Sequence, residues 1–195
     1  PQSEGGQRWY HLYPDEFISH SDPLHWTGPY HNWNARCAEC HSTNVRKNYN
    51  VETDSYDTSY SEIDVGCEAC HSAGRAHIEA VEQGRVGEVE HGGFEVSLKG
   101  NIFWERLPGA SVASSSKKAS PMQVENCGRC HSRRRTLGDY RYGHSLLDTH
   151  SLAMLSPPLY HPDGQIRDEV YVYGSFIQSK MYDAGVVCTN CHEPH

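Results

Sequence analysis

The pentapeptide Cys-x-x-Cys-His occurs four times in this chain and constrains its fold more than any other feature. The copies are Cys37-Ala38-Glu39-Cys40-His41, Cys67-Glu68-Ala69-Cys70-His71, Cys127-Gly128-Arg129-Cys130-His131 and Cys188-Thr189-Asn190-Cys191-His192, and they use all eight cysteines. Two thiols three residues apart can each form a thioether to one edge of a porphyrin. The next imidazole is then placed to ligate the iron. Each copy therefore reads as a c-type haem attachment site. Cys37, Cys40, Cys67, Cys70, Cys127, Cys130, Cys188 and Cys191 are the expected covalent anchors. His41, His71, His131 and His192 are the expected proximal ligands, and the expected cofactor load is four haems c.

Other uses of paired cysteines fit less well. With 14 His in the 195-residue chain, chance would place one after all four pairs about once in 40,000. Zinc ribbons also use Cys-x-x-Cys pairs, but they need no His directly after each second cysteine. A disulfide framework has no reason to use this spacing alone.

Ten further histidines supply distal ligands: His11, His20, His25, His31, His77, His91, His144, His150, His161 and His195. A second axial His gives a low-spin centre suited to electron transfer, whereas an open sixth position suits chemistry on a small ligand. The Cys-x-x-Cys-Lys variant of nitrite-reducing multihaem enzymes is absent.

Composition agrees with a chain built around cofactors. Only 36% of residues are hydrophobic, and the mean hydropathy is −0.73. A chain of this length usually needs more apolar side chain for a core. The expected architecture is mostly irregular, with short α-helices, little β-strand and a core of stacked haems. Folding should be poor without haem, by analogy with metal-coupled folding. The formal charge of −8 argues against nucleic acid or an anionic membrane as partner. It suits basic redox partners or extracellular acceptors such as minerals. No membrane-spanning stretch and no signal peptide are visible. Covalent haem is attached outside the cytoplasm, so a periplasmic or extracellular location is expected, for a processed or trimmed chain.

The length suggests a single tetrahaem domain over 1–195. Residues 1–36 read as an arm covering the first haem, 37–77 as the first two motifs, 78–126 as a connecting insert and 127–195 as the last two motifs. Motif starts at 37, 67, 127 and 188 are too unequal for a strict repeat. Residues 44–62 read as a loop or short hairpin. His77 to Val89 carries a helical pattern. Residues 109–121, with Ser114-Ser115-Ser116-Lys117-Lys118, read as an exposed loop. Residues 122–135 are expected to form a helix bearing the third motif, and Leu146 to Leu155 another. Ile166 to Phe176 alternates like a strand after a Pro162-Asp163-Gly164 turn. Asp163, Asp168 and Glu169 read as a turn with solvated charges in preference to a calcium site. Trp9, Trp26, Trp33 and Trp104 are expected to pack around haem.

The segment Asn34-Ala35-Arg36-Cys37-Ala38-Glu39-Cys40-His41-Ser42-Thr43-Asn44 reads as one block. Cys67-Glu68-Ala69-Cys70-His71-Ser72-Ala73-Gly74-Arg75-Ala76-His77 is similar to a Cys-Glu-x-Cys-His-Gly-Pro-Gly-x-x-His pattern, with Ser72-Ala73 in place of Gly-Pro. Together they resemble the multihaem c-type cytochrome family that includes the tetrahaem electron carrier of ammonia oxidisers. Gly5-Gly6-Gln7-Arg8-Trp9-Tyr10-His11-Leu12-Tyr13-Pro14 and Leu159-Tyr160-His161-Pro162-Asp163-Gly164-Gln165 sharpen the resemblance, toward the cytochrome portion of secreted multihaem proteins with tetratricopeptide repeats. Such relatives often carry a further upstream motif and downstream helical repeats, which this sequence lacks.

The resemblance implies close-packed haem pairs and mostly bis-His ligation. His77 and His195 lie too near a proximal His to serve the same iron and are assigned to neighbouring haems. His161, His25, His11 and His150 are the other distal candidates. His20, His91 and His144 read as surface residues, and His31 falls in neither set.

The resulting expectation is extracytoplasmic electron transfer, with a polymer of stacked haems as a variant in which one subunit's His ligates the next subunit's haem. The alternative is a multihaem oxidoreductase acting on a small nitrogen or sulfur compound at one five-coordinate haem. It would use acid–base groups and an anion-attracting cluster such as Arg133-Arg134-Arg135. Propionate pairing or a solvated face is the preferred reading of those arginines. A gas-sensing module would not need four haems.

Overall fold

A computed structural model describes residues 10–11, 13–100, 103–115 and 121–195. Trp9 and the rest of the Gly5–Arg8 block, Leu12 and Ser116-Lys117-Lys118 lie outside the described residues. The chain is mostly irregular. Its helices are α1 (Ala38–His41), α2 (Glu68–His71), α3 (Arg75–Glu82), α4 (Met122–Gly128), α5 (Tyr173–Ile177) and α6 (Lys180–Asp183). Its strands, β1 (Tyr49–Asn50), β2 (Ser55–Tyr56), β3 (Arg134–Thr136) and β4 (His150–Leu152), form two antiparallel pairs.

Local chemistry explains the short elements. A π-helical turn, Trp33–Cys37, leads into α1. Its start is capped by the Asn32 side chain, which accepts from Ala35 N at 3.0 Å. β1 and β2 make residues 44–62 a hairpin, with Tyr49 opposite Tyr56. Asn50 Oδ1 closes its turn by accepting from Glu52 N at 2.9 Å.

Four expected elements take a different form. α3 stops at Glu82, well short of Val89, because Gly84 turns the backbone into the left-handed region at φ 66°. The helix entering the third motif ends at Gly128, and Arg134–Thr136 becomes a strand. The partner of that strand is β4, inside the segment expected to be a helix from Leu146. Both helical expectations fail for one reason: the backbone groups of 134–136 and 150–152 find each other across the chain. Ile166 to Phe176 is not a strand. Tyr171 sits at φ 61° and α5 begins at Tyr173. Val170 and Tyr173, three apart, are buried while Val172 is exposed, which is helical spacing and not alternation.

The polypeptide core is small. Among the described residues, the buried apolar side chains are Ala38, Ala80, Val124, Leu146, Tyr160, Val170, Tyr173 and Val187. Val124, Leu146, Tyr173 and Val187 form one cluster drawn from four distant segments. The chain exposes 14587 Å², against about 9,300 Å² for a compact monomer of 22.0 kDa.

Candidate haem-binding site

Each motif is folded as a single helical turn. In the last three copies the histidine N–H donates to the first cysteine's carbonyl: His71 to Cys67, His131 to Cys127 and His192 to Cys188, each at 3.0 Å. The second cysteine's N–H also reaches that carbonyl, at 3.1–3.2 Å. The first copy continues from the π-helical turn into α1. Positions i, i+3 and i+4 share one face of such a turn, so both thiols and the imidazole face the same way.

The four turns converge on the third. The Cys40 thiol lies 4.0 Å from the Cys130 carbonyl, and interaction with the Cys130 thiol draws Cys40 down to about 6 and pushes Cys130 up. Between the Cys127 and Cys188 thiols the same electrostatic interaction draws Cys188 down to about 7 and pushes Cys127 up. The second motif is held through its carbonyls. Asn126 Nδ2 donates to Cys70 O at 3.1 Å, the Arg129 guanidinium to Ala69 O at 2.7 Å, and Tyr142 OH to Glu68 O at 2.7 Å. Arg129 is steadied over the Tyr140 ring at 4.5 Å and the Tyr142 ring at 5.2 Å. The fourth motif is tied through Gln123, which donates to Thr189 Oγ1 and accepts from Thr189 N, both at 2.9 Å.

Among the distal candidates, one pairing is direct. His71 Nε2 and His195 Nε2 are 3.5 Å apart, with ring planes 22° from parallel. Two imidazole nitrogens each about 2.0 Å from a first-row metal ion would stand about 4 Å apart, so the pair has close to the right span. Burial, then His195 and His77, lowers the basicity of His71. His77 lies in the same cluster. Its ring stacks on Phe94 at 4.3 Å, and Phe94 also meets His71 at 4.8 Å. Its Nδ1 is 2.7 Å from the Gly92 carbonyl, leaving Nε2 outward as in metal-ligating histidines. The close approach requires Gly93, where a Cβ would stand 2.7 Å from His77 N and 2.8 Å from Ala76 C.

The other candidates sit differently. His150 is buried, with Nδ1 2.9 Å from Thr149 Oγ1 and Nε2 3.6 Å from Glu39 Oε1. His11 accepts from Tyr13 N, His25 pairs with Thr27 Oγ1 at 2.8 Å, and exposed His161 joins a turn through its backbone. None of these four is placed against a motif histidine by the contacts described. His31 meets Tyr13 OH at 3.2 Å, His91 meets Glu90, and His144 meets Asp148. Trp33 meets Tyr60 edge-on, and Trp26 is exposed.

Sequence reasoning missed a buried polar knot. Glu39 accepts from Arg134 at 3.0 Å, from Thr136 at 2.7 Å and from Lys47 at 3.1 Å. Burial pushes its carboxyl up, yet the nearby His150 imidazole, the Thr136 hydrogen bond and the charges of Arg134 and Lys47 hold it well below the usual carboxylate range. The available signal was a carboxylate inside the first motif and an arginine run after the third. That run is split: Arg133 reaches the Glu169 carbonyl, Arg134 turns inward and Arg135 is exposed.

The donor set fits haem c, with eight thiols and four imidazoles on four like-folded turns. A cavity of about 360 Å³ opens beyond the third motif. Its wall includes Leu152, Leu155, Val170, Tyr173 and Ile177, with Arg133 at its edge. Ser72 Oγ, directly after His71, is buried without a hydrogen-bond partner, so a polar group could still be accommodated there. The Asp163 carboxylate is engaged by Gln165, and among the described residues no group of three His, Cys, Asp or Glu is placed to hold a bare ion. Among those residues, too, no helix is long and apolar enough to cross a membrane.

Residues 16–72, which hold the first two motifs, match the family described as cytochrome c554 and c-prime. No curated protein matches the chain. No solved structure matches it either. Taken with the motif geometry, the family match supports a c-type cytochrome, for which covalently bound haem and electron transport are implied.

Proposed function

We propose that this protein carries electrons outside the cytoplasm through four covalently bound c-type haems. The observation that carries the reading is the convergence of the other three motif turns on the third, through the approach of Cys40 to the Cys130 carbonyl and the ties of Asn126, Arg129 and Gln123. Bound haem supplies one-electron chemistry. The chain holds the attachment points close together and supplies the axial ligands. Cys37, Cys40, Cys67, Cys70, Cys127, Cys130, Cys188 and Cys191 are the anchors, with His41, His71, His131 and His192 as proximal ligands. His195 is the distal partner of His71, supported by their 3.5 Å separation. His77 is oriented for a neighbouring iron, and His11, His25, His150 and His161 remain the other distal candidates.

The same reading makes the chain one tetrahaem unit, periplasmic or extracellular, that meets redox proteins or extracellular acceptors. A polymer extends it. Hydrogen bonds described for residues 10–31 stay within 10–36, while Phe17 and Trp26 are exposed. This arm, with His11 and His25, is the segment that would reach a second copy.

Haem per chain by pyridine haemochrome, with low-temperature electron paramagnetic resonance of the ferric protein, tests the proposal. Four low-spin haems are expected. A high-spin fraction near one haem in four would move the reading to an oxidoreductase with an open iron. Fewer than four haems would remove at least one motif from the set.

A further inference from the structure

The Glu39 knot joins the first motif to the strand after the third, and Arg134 lies at its centre. The Arg134 side chain is only 7% exposed. One of its NH groups donates to Glu39 Oε2 at 3.0 Å and to Thr136 Oγ1 at 2.9 Å, and its Nε donates to the Arg129 carbonyl inside the third motif. The remaining NH2 group lies 3.8 Å from Cys40 Sγ. A planar guanidinium can serve these partners at once, whereas a lysine ammonium cannot reproduce the fork. Sulfur remains a weak acceptor as a thioether, so attachment of a porphyrin at Cys40 leaves an acceptor for this guanidinium.

A buried ion pair is poor evidence for stability, because desolvation offsets much of its attraction. Its position is the informative feature. The cation is held against the sulfur of one motif and against the backbone of another. A fixed positive charge beside a redox centre favours its reduced form, and a compensating carboxylate moderates that effect.

We propose that Arg134, clamped by Glu39, is a positioning residue that raises the reduction potential of the haem attached at Cys37 and Cys40 relative to the other three. The proposal rests on the four-haem reading above. Lys47 and His150 complete the clasp, since each touches Glu39 and neither touches the Cys40 sulfur in the contacts described.

The test is a spectroelectrochemical titration of the full haem-loaded chain, unaltered and as R134Q, R134K and E39Q, with haem per chain measured for each. In R134Q one midpoint should fall so that the reduced-to-oxidised ratio of that haem at fixed poise drops about tenfold, equivalent to about 59 mV for one electron. The other three should move far less. E39Q, which leaves the cation uncompensated, should raise the same midpoint, and R134K, which keeps the charge without the fork, should lower it less than R134Q does. If R134Q loses haem, the near-isosteric E39Q decides: a single raised midpoint supports the proposal, and four unmoved midpoints overturn it. Uniform movement of all four also overturns it, since the clasp would then be structural only. Absence of haem from the unaltered chain would instead overturn the functional reading beneath it.

Discussion

The arm at residues 10–31 and the region around the third motif follow opposite rules. The arm is rich in aromatic side chains, yet Phe17 and Trp26 are 95% and 76% exposed, and its described hydrogen bonds close small turns such as His25 N to Asp22 O at 2.9 Å. The third motif adjoins the apolar cluster of Val124, Leu146, Tyr173 and Val187 and is also bound to every other motif. Its ties are polar and long-range: Asn126 to Cys70, Arg129 to Ala69, Arg134 to Glu39 and Gln123 to Thr189. Aromatic content by itself therefore does not mark the ordered centre of this molecule. Hydrogen bonds from the positions between the cysteines do, because Glu39, Arg129 and Thr189 lie outside the expected attachment residues and join neighbours instead.

The strongest way to break this contrast is at the hub. Replacing Cys127 and Cys130 by Ala should remove at least one haem per chain and weaken the seating of the first and fourth motifs. Deleting the arm should leave haem content unchanged. Pyridine haemochrome on both variants checks this, and equal losses would erase the distinction.

Packing at the hub and at the His77 cluster comes next. A Cβ at Gly128 would meet the Tyr173 ring at 2.6 Å and Leu146 Cδ2 at 2.9 Å. G128A should therefore cost about 2–3 kcal/mol by overpacking. G93A combines a backbone clash with φ of 93° and should cost about 3 kcal/mol. Denaturant midpoints of the haem-loaded variants measure both, and a cost below about 0.5 kcal/mol would mean that neighbouring backbone yields freely.

R129A sharpens the comparison by removing one polar tie. Loss of the Ala69 hydrogen bond and of the cation–π contacts with Tyr140 and Tyr142 should cost about 1–3 kcal/mol. Faster hydrogen exchange should appear in the second motif first, and a change confined to residues 140–142 would argue that the tie to Ala69 is idle. The smallest effect belongs to the arm. F17A and W26A should each change stability by less than about 0.5 kcal/mol, as read from the same denaturant curves. A larger cost at low protein concentration would show that the arm packs within its own chain.

The local shape of the four motifs was legible because it depends on near neighbours alone. Five consecutive residues make one helical turn, and the turn alone brings two thiols and an imidazole to one face. The scarcity of regular structure was legible too, from low apolar content and frequent turn residues. The elements misread from pattern, the helices over 122–135 and 146–155 and the strand over 166–176, failed where a partner far along the chain claimed the backbone. β3 and β4 are such a pair, and Tyr171 at φ 61° ends any alternation that Val170 and Val172 suggest.

What the sequence by itself determined is which side chains are chemically equipped to hold haem and the local turn that presents them, since both depend on spacings of five residues or fewer. Only the tertiary structure decided which motifs are neighbours, that His195 meets His71 across 124 positions, and that Glu39 closes on Arg134 across 95. Those pairings have no periodic signature. They arise from closing long loops so that a few buried charges and carbonyls find partners, and that choice is made by the whole chain at once.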